Sequence, residues 1–420
     1  MSALIDDLQW RGLVAQTTDE AALREHFDSG PRAVYCGFDP TAPSLHFGNL
    51  VQLVLLRHLQ RAGHRVICLV GGSTGLIGDP RPTAERVMRS KDETADNVAR
   101  IAALVKPFLD FEGENPATVV NNLDWTAPIS ALDFLRDYGK HFRVNQMIRK
   151  DAVAARLASQ EGISYTEFSY QILQALDFLH LFQAEGVSVQ TGGQDQWGNL
   201  TAGVDLVHRV EGASVHVLTT PLLTDASGEK FGKSAGNAIW LSADMTSPYA
   251  FYQYWLNIAD AEVIDLVKVF TDRSREDIEG LRVATHETPH RRLAQQALAA
   301  DVTTLVHGSA ATQNVRAASS VLFGQVDPAQ VDAATLIEAM TELPQAELAP
   351  SSPITDALVA AGLASSKGAA RRLIDEGGVS VNNAKVTSSD AHLDPADFLG
   401  GQLALLKRGR KSLAALRLRD

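Results

Sequence analysis

Cysteine is nearly absent: Cys36 and Cys68 are the only two in 420 residues. Both fall in stretches expected to be buried strands, which argues against a disulfide scaffold or a cysteine-based metal site and fits a reducing cytoplasm. Long apolar runs are also missing, and no segment could span a bilayer as a helix. The opening MSALIDDLQWRGL reads as an acidic amphipathic helix without the apolar core of a secretion signal. A soluble, cytoplasmic protein with no membrane partner is therefore expected. A positive balance is lacking too: the net charge is −12, so the whole surface is unsuited to non-specific nucleic-acid binding. No Walker A loop is present, because G-x-x-x-x-G-K-S would need Gly where Ser227 stands.

The charge that is present is uneven. From Pro353 onward ten Lys/Arg face seven Asp/Glu, a local +3 that leaves −15 for the rest. With 45% hydrophobic residues, the chain can bury a large core and fill two or three domains.

The organising stretch is YCGFDPTAPSLHFGNL, Tyr35 to Leu50. A buried strand over Ala33 to Phe38 feeds a turn containing Asp39, Pro40, Thr41, Pro43 and Ser44. A helix then starts near Gly48, carries Leu50, Leu53, Val54 and Leu59 on one face, and stops at Gly63. Such a strand-to-helix turn makes a pocket at the carboxyl end of a parallel sheet, where helix amides and hydroxyls meet anions. His46 and Asn49, three apart at the helix start, can face one ligand. A second apolar strand, Val66 to Val70, runs into the Gly-rich turn GGSTGLIGDP, which ends beside the carboxylate of Asp79.

Helical patterns fill 83–109 and 129–159, with a strand end near Val119 and Val120 between them. In YTEFSYQILQALDFLHLF, Tyr170, Gln174 and Asp177 stand at i, i+4 and i+7 on an otherwise apolar helix. Three polar side chains on a buried helix must be satisfied, and a pocket wall for a small zwitterion does that. A further strand ends at Gln190 and gives TGGQDQWGN, with Gly193 at the turn and Asp195 near a helix start, where a carboxylate suits a ribose diol. After a strand at Val215 to Leu218 comes TDASGEKFGKSAGN, whose Lys230 and Lys233 form a positive clamp for a polyphosphate. Ser247-Pro248 starts a helical region that runs from Tyr249 to Leu322. HETPH, His286 to His290, matches a zinc-protease pattern in form only, because Pro289 would break the required helix; no metal site is expected.

PTAPSLHFGN resembles the HIGH signature of class I aminoacyl-tRNA synthetases, and YCGFDPTA before it resembles the bacterial tyrosyl enzymes in particular. KFGKS, Lys230 to Ser234, is similar to the family's KMSKS loop, with Phe231 and Gly232 in place of Met and Ser. GGQDQWGN is a third matching block. Asn49 replaces the second His of HIGH, and an amide can donate and accept but cannot carry charge. The resemblance implies ATP, with Mg2+ as its substrate complex, L-tyrosine and tRNA(Tyr) as partners, and a homodimer whose interface comes from the segment about 125–160.

By resemblance Thr41, His46, Lys230, Lys233 and Ser234 stabilise the reacting phosphates. Cys36, Asp39, Asn49, Gly193 and Asp195, with Lys233, hold ATP. Asp79, Tyr170 and Gln174 take the tyrosine ammonium, Gln196 lies near its carboxylate, and Tyr35 and Asp177 bind the phenol.

The expected architecture is α/β. A Rossmann-like parallel-sheet catalytic domain fills 1–235, and an α-helical domain on the tRNA anticodon side fills 236–323. A linker over 324–352 has one short helix. A small basic α+β domain over 353–420 reads as helix, turn, helix and a strand at Gly378 to Val381. Lys367, Arg371 and Arg372 cluster on its second helix, where they would contact RNA phosphates.

A tryptophanyl-tRNA synthetase would share this fold, but Tyr35 and Asp177 suit a phenol better than an indole. A small-molecule adenylyltransferase would have no use for the RNA-binding tail. A non-catalytic RNA-binding relative would have lost the phosphate residues that are present here.

Overall fold

A computed structural model of the chain describes residues 3–81, 86, 88–160, 162–223, 233–234, 237–322, 331–409 and 412–419. Of these, Asp151, Lys233, Ser234 and Asn237 are described as backbone only. The chain divides into two compact units, Met1–Met245 with Ile258–Ala294, and Thr246–Asn257 with Gln295–Asp420. The helical segment 236–323, expected as one domain, is thus shared between the two.

The first unit is built on a six-stranded sheet. Its strands are β1 (Gln16–Thr17), β2 (Ala33–Phe38), β3 (Arg65–Val70), β4 (Thr118–Asn121), β5 (Val187–Gly193) and β6 (His216–Thr220), in the order β1-β6-β5-β2-β3-β4. β2 to β6 are mutually parallel, and only β1 runs antiparallel, against β6. The order reverses between β2 and β5, so adjacent connections leave on opposite sides and open a crevice there. Both β2 and β3 are nearly continuous apolar runs, as strands covered on two faces must be. On one face Tyr35, Ile67 and Leu69 pack with Ala175, Phe178, Leu179, Leu206 and Val207 from helices Tyr165–Glu185 and Trp197–Glu211.

Helix Phe47–Arg61 begins one residue before its expected start. It is buried nearly all round, with Leu50, Leu53 and Leu59 fully covered, so it is a core helix and not a one-sided one. Two other expectations are corrected. GGSTGLIGDP is not an open turn, since Gly72–Ile77 is a short helix. Among the described residues the helix expected over 83–109 runs Lys91–Leu104, held back by its Ser90 cap. The insertion expected as helix over 129–159 is a string of short pieces: Ala131–Asp133, Phe134–Tyr138, Gly139–His141, Val144–Met147 and Asp151–Ala158. The stretch is helical as expected but broken into pieces, and its Leu132, Leu135, Val144 and Leu157 point outward. Lys233–Ser234 (β7) and Asn237–Ala238 (β8) form a two-residue antiparallel ladder.

From 248 to 322 the chain is not helical throughout. Helices Pro248–Leu256, Val263–Phe270, Arg275–Glu287 and Leu293–Leu322 alternate with breaks, and the last is interrupted at Gly308, whose φ of 86° no helix accommodates. Pro289 opens a single 3-10 turn, Pro289–Arg291, as its missing N–H allows.

In the second unit a five-stranded sheet combines β9 (Gln345–Leu348), β10 (Val379–Val381), β11 (Ala384–Lys385), β12 (Leu403–Arg408) and β13 (Ser412–Leu418), ordered β11-β10-β12-β13-β9. Helices Ile354–Ala360 and Lys367–Asp375 and strand β10 match the helix-turn-helix-strand reading. The expected linker is more than a connector. It contains helix Ala333–Thr341 and β9, which pairs in parallel with β13 and sends Ala346 and Leu348 into the core of this sheet.

Candidate active site

A cavity of about 440 Å³ opens where β2, β5 and β6 end, beside the start of helix Phe47–Arg61. Thirteen residues singled out in the sequence line it: Tyr35, Cys36, Asp39, Thr41, His46, Asn49, Asp79, Tyr170, Gln174, Asp177, Gly193, Asp195 and Gln196. Parallel register sets the floor, because Tyr35 lies beside Gln190, and Cys36 beside both Thr191 and Cys68. Lys230 falls outside the described residues. Lys233 and Ser234 are described only as backbone of β7. Lys367, Arg371 and Arg372 belong to the second unit, exposed on helix Lys367–Asp375, where Lys367 pairs with Asp356 at 2.7 Å.

At the deep end, Asp177 is 2% exposed. Its carboxylate accepts N–H bonds from Asn122 Nδ2 and Trp125 Nε1, each 2.9 Å. Burial pushes its pKa up to about 7, against the two donors, which favour the ionised form. Tyr35 meets Phe178 edge-on, with ring centroids 5.4 Å apart. The Tyr35 hydroxyl is buried and has no hydrogen-bond partner among the described residues, and neither has Gln190 Oε1 on the same wall. Burial, and then the charge of Asp177, hold the Tyr35 phenol far above its ordinary range. Two unpaired polar atoms on the wall of one cavity mark where a ligand's polar groups belong.

Higher in the cavity, the Tyr170 hydroxyl donates to Asp39 Oδ2 and the Thr74 hydroxyl to Asp39 Oδ1, each 2.7 Å. Burial raises the Asp39 pKa despite both bonds. Asp39, read from sequence as a nucleotide contact, thus has both oxygens engaged by the protein. Asp79 accepts from Asn199 Nδ2 at 2.9 Å and from Gln196 Nε2 at 3.2 Å. Cys36 Sγ lies 3.6 Å from Gln52 Oε1, and burial pushes its thiol up to about 12, so it is an inert wall.

The helix start is self-capped. Gly48 N–H donates to His46 Nδ1 at 3.0 Å, and His46 N–H donates to Asn49 Oδ1 at 3.1 Å. A Cβ on Gly48 would sit 2.8 Å from His46 Cε1, so only glycine leaves the imidazole in place.

Sequence reasoning missed Asn122, Trp125, Thr74, Gln52, Gln190 and Arg86, all of which line the cavity or bond to its walls. A polar residue at the carboxyl end of a parallel strand was the available signal for Asn122 and Gln190. Arg86 reaches the cavity from a connecting segment and donates from Nε to the Asp79 carbonyl at 2.8 Å.

Among the described residues no group of three His, Cys, Asp or Glu could hold a metal ion, and no helix is long and apolar enough to cross a membrane. The family model for class I tRNA synthetases (W and Y) matches residues 28–324, and the model for the tyrosine–tRNA ligase C-terminal domain matches 335–416. A tyrosine–tRNA ligase of Streptomyces coelicolor is 56% identical over 419 residues, covering 100% of this chain and 99% of that protein. One from Leifsonia xyli subsp. xyli is 58% identical over 412 residues, covering 98% and 93%. Among solved structures, a C-terminally truncated Coccidioides posadasii mitochondrial tyrosyl-tRNA synthetase is 33% identical with a TM-score of 0.67, over 75% of this chain and 91% of that one.

Proposed function

The chain belongs to the tyrosine–tRNA ligase family and is an aminoacyl-tRNA synthetase that uses ATP to join L-tyrosine to tRNA, and from that premise we propose how its residues divide the work. In the first step a tyrosine carboxylate oxygen attacks the α-phosphorus of ATP, giving tyrosyl-adenylate and releasing pyrophosphate. In the second, a hydroxyl of the terminal adenosine of tRNA takes the tyrosyl group and AMP leaves. No side chain need form a covalent bond, so the protein's part is positioning and stabilisation of developing phosphate charge.

Tyr35 and Asp177 bind the substrate phenol. The observation that carries this reading is the buried, unpartnered Tyr35 hydroxyl in the cavity that Asp177 closes. The phenol O–H supplies what a buried acceptor needs, whereas phenylalanine would leave the Tyr35 hydroxyl unpaired and Asp177 with only its two protein donors. Asp79, Tyr170 and Gln174 surround the ammonium, and Gln196 stands near the carboxylate. Cys36, Asn49, Gly193 and Asp195 face adenosine and ribose, with Asp39 acting through Tyr170 and Thr74 as well. Thr41, His46 and the lysines of the KFGKS block, Lys230 and Lys233, with Ser234, meet the phosphates of Mg-ATP, the magnesium arriving with its nucleotide.

The exposed Leu132, Leu135, Val144, Ile148 and Leu157 support a homodimer through the 125–160 insertion, since so many large apolar side chains on one segment call for cover. We place this enzyme in the cytoplasm, where its two buried, free cysteines are at home. Lys367, Arg371 and Arg372 would contact tRNA phosphates. A tryptophan substrate is not favoured, because the curated relatives above 50% identity along the whole chain are tyrosine ligases.

Amino-acid-dependent ATP–pyrophosphate exchange, with tyrosine, phenylalanine and tryptophan offered separately, tests the pocket. Exchange with tyrosine alone is expected. Exchange with phenylalanine at a comparable kcat/KM would remove the phenol assignment from Tyr35 and Asp177.

A further inference from the structure

Lys150 lies outside the tyrosine cavity, on the wall of a second cavity of about 360 Å³ that His141, Arg143, Gln171 and Arg209 also line. Its side chain is turned inward. The stem runs along Gly198, where an added Cβ would stand 3.2 Å from Lys150 Cε, and the ammonium donates to Asn199 Oδ1. Asn199 is 8% exposed. Its Nδ2 donates to Asp79 Oδ1 at 2.9 Å and to Gln196 Oε1 at 3.0 Å, while Gln196 Nε2 donates to Asp79 Oδ2 at 3.2 Å. A chain of hydrogen bonds therefore leads from Lys150, through one amide, to a carboxylate of the amino-acid site.

The direction of that chain depends on which way the amide faces. An asparagine side chain has nearly the same shape after a half-turn, but its donor and acceptor exchange places. Turned over, Asn199 would set its oxygen against the Asp79 carboxylate and its NH2 against the Lys150 ammonium, two repulsive contacts in place of two favourable ones. An ammonium only donates, so Lys150 accepts a single orientation. Burial pushes the Lys150 pKa down to about 7 while the charge of Asp79 works in the opposite sense, so the two groups sense each other.

We propose that Lys150 is a positioning residue for the amino-acid site: by fixing the Asn199 amide, it keeps the Asp79 carboxylate aimed at the ammonium of the substrate. The proposal rests on the reading that Asp79 receives that ammonium. It adds a residue that never touches tyrosine and whose stem lies close along the backbone of Gly198.

The test uses the full-length enzyme in tyrosine-dependent ATP–pyrophosphate exchange, with melting temperature measured alongside. Lys150→Met keeps the stem and removes the charge, Lys150→Arg restores a donor-only cation, and Asp79→Asn probes the underlying reading. Lys150→Met is expected to raise KM for tyrosine about fivefold to tenfold, with kcat and KM for ATP within about twofold of wild type. Lys150→Arg should recover most of the loss, which a merely structural contact would not require. Unchanged KM for tyrosine in Lys150→Met overturns the proposal, also where tRNA charging alone suffers. If Asp79→Asn leaves KM for tyrosine unchanged, the reading of Asp79 itself fails. If Asp79→Asn raises it and Lys150→Met does not, only the role of Lys150 fails. Should Lys150→Met prove unstable, Lys150→Gln replaces the donor-only cation by an uncharged amide, and the same rise in KM for tyrosine is expected; its absence counts against the proposal equally.

Discussion

The side-chain amide of Asn122 donates to Asp177 Oδ2 over 2.9 Å, joining the residue just past β4 to helix Tyr165–Glu185. This bond and the one from Trp125 favour the ionised carboxylate that burial otherwise opposes. Asn122→Ala is therefore expected to raise the Asp177 pKa further. Below about pH 8, less of the enzyme would then have a carboxylate ready to accept the phenol proton. KM for tyrosine, followed against pH in pyrophosphate exchange, should rise roughly tenfold near neutrality and recover toward higher pH. Asp177→Ala should lose tyrosine activation by about a hundredfold or more, with melting temperature little changed. Equal losses of both would make Asp177 a structural residue.

Arg156 and Glu167 form an ion pair of 3.0 Å whose side chains are 2% and 3% exposed. Arg156 Nε also donates to the Gly162 carbonyl, and Glu167 Oε1 accepts the Arg86 N–H at 2.9 Å. Breaking a buried pair strands a charge, so Arg156→Met should cost about 3–5 kcal/mol in urea unfolding. Because Glu167 anchors the backbone of Arg86, which lines the cavity, Glu167→Gln should also lower kcat for tyrosine activation. A stability loss below about 1 kcal/mol in Arg156→Met would show that the charge left behind is solvated.

Burial holds His58 and His307 at about 4, well below the ordinary histidine range, and the Nε2 of each is buried without a partner among the described residues. The unfolded chain takes up these protons near pH 6.5, whereas the folded chain resists until about 4. Their contribution is thus fully present above about pH 6.5 and is lost as pH falls toward 4. Asp177, raised instead of lowered, works in the opposite direction: its contribution is largest at low pH and shrinks as pH climbs toward 7. Urea midpoints compared at about pH 7.5 and about pH 5 should fall with acid in the wild type. The fall should be smaller in His58→Gln or His307→Gln; an unchanged acid dependence in both would exclude these two side chains as its source.

The buried strands were readable because a strand covered on both faces has little choice but Val, Ile, Leu and Cys, as β3 illustrates. The polar face of Tyr170, Gln174 and Asp177 was readable because helix geometry places those spacings together. Asn122 and Trp125 were not, since an asparagine at a strand end looks the same whether it ends a loop or holds a buried carboxylate. Asn49 was readable as a departure from a motif, but its bond to the His46 backbone needed coordinates. The insertion was readable as helical but its breaks were not, because its outward-facing leucines carry a helix-like pattern. β9 was hidden because its partner, β13, lies some 70 residues further on, and Gln-Ala-Glu-Leu alternates too briefly to announce a strand.

That strand decides where the C-terminal region can be cut. Removing residues from Pro353 onward would leave β9 without β13 and expose Ala346 and Leu348, which pack in that core. Ending the chain before residue 331 removes the strand and its partner together. The shorter chain should retain tyrosine-dependent exchange and lose tRNA charging, while the cut at Pro353 should aggregate. Loss of exchange in a folded chain ending before 331 would give the C-terminal sheet a part in adenylate formation.

The reciprocal cap between His46 and Asn49 fixes more than a helix start. Because His46 Nδ1 receives the Gly48 N–H, that nitrogen presents a lone pair, and the proton of the neutral ring belongs on Nε2. The main chain thus selects the tautomer of the neutral ring and leaves Nε2–H as its donor. The amide at position 49 leaves that choice to Gly48, since its own Oδ1 accepts the His46 backbone N–H and not a ring N–H.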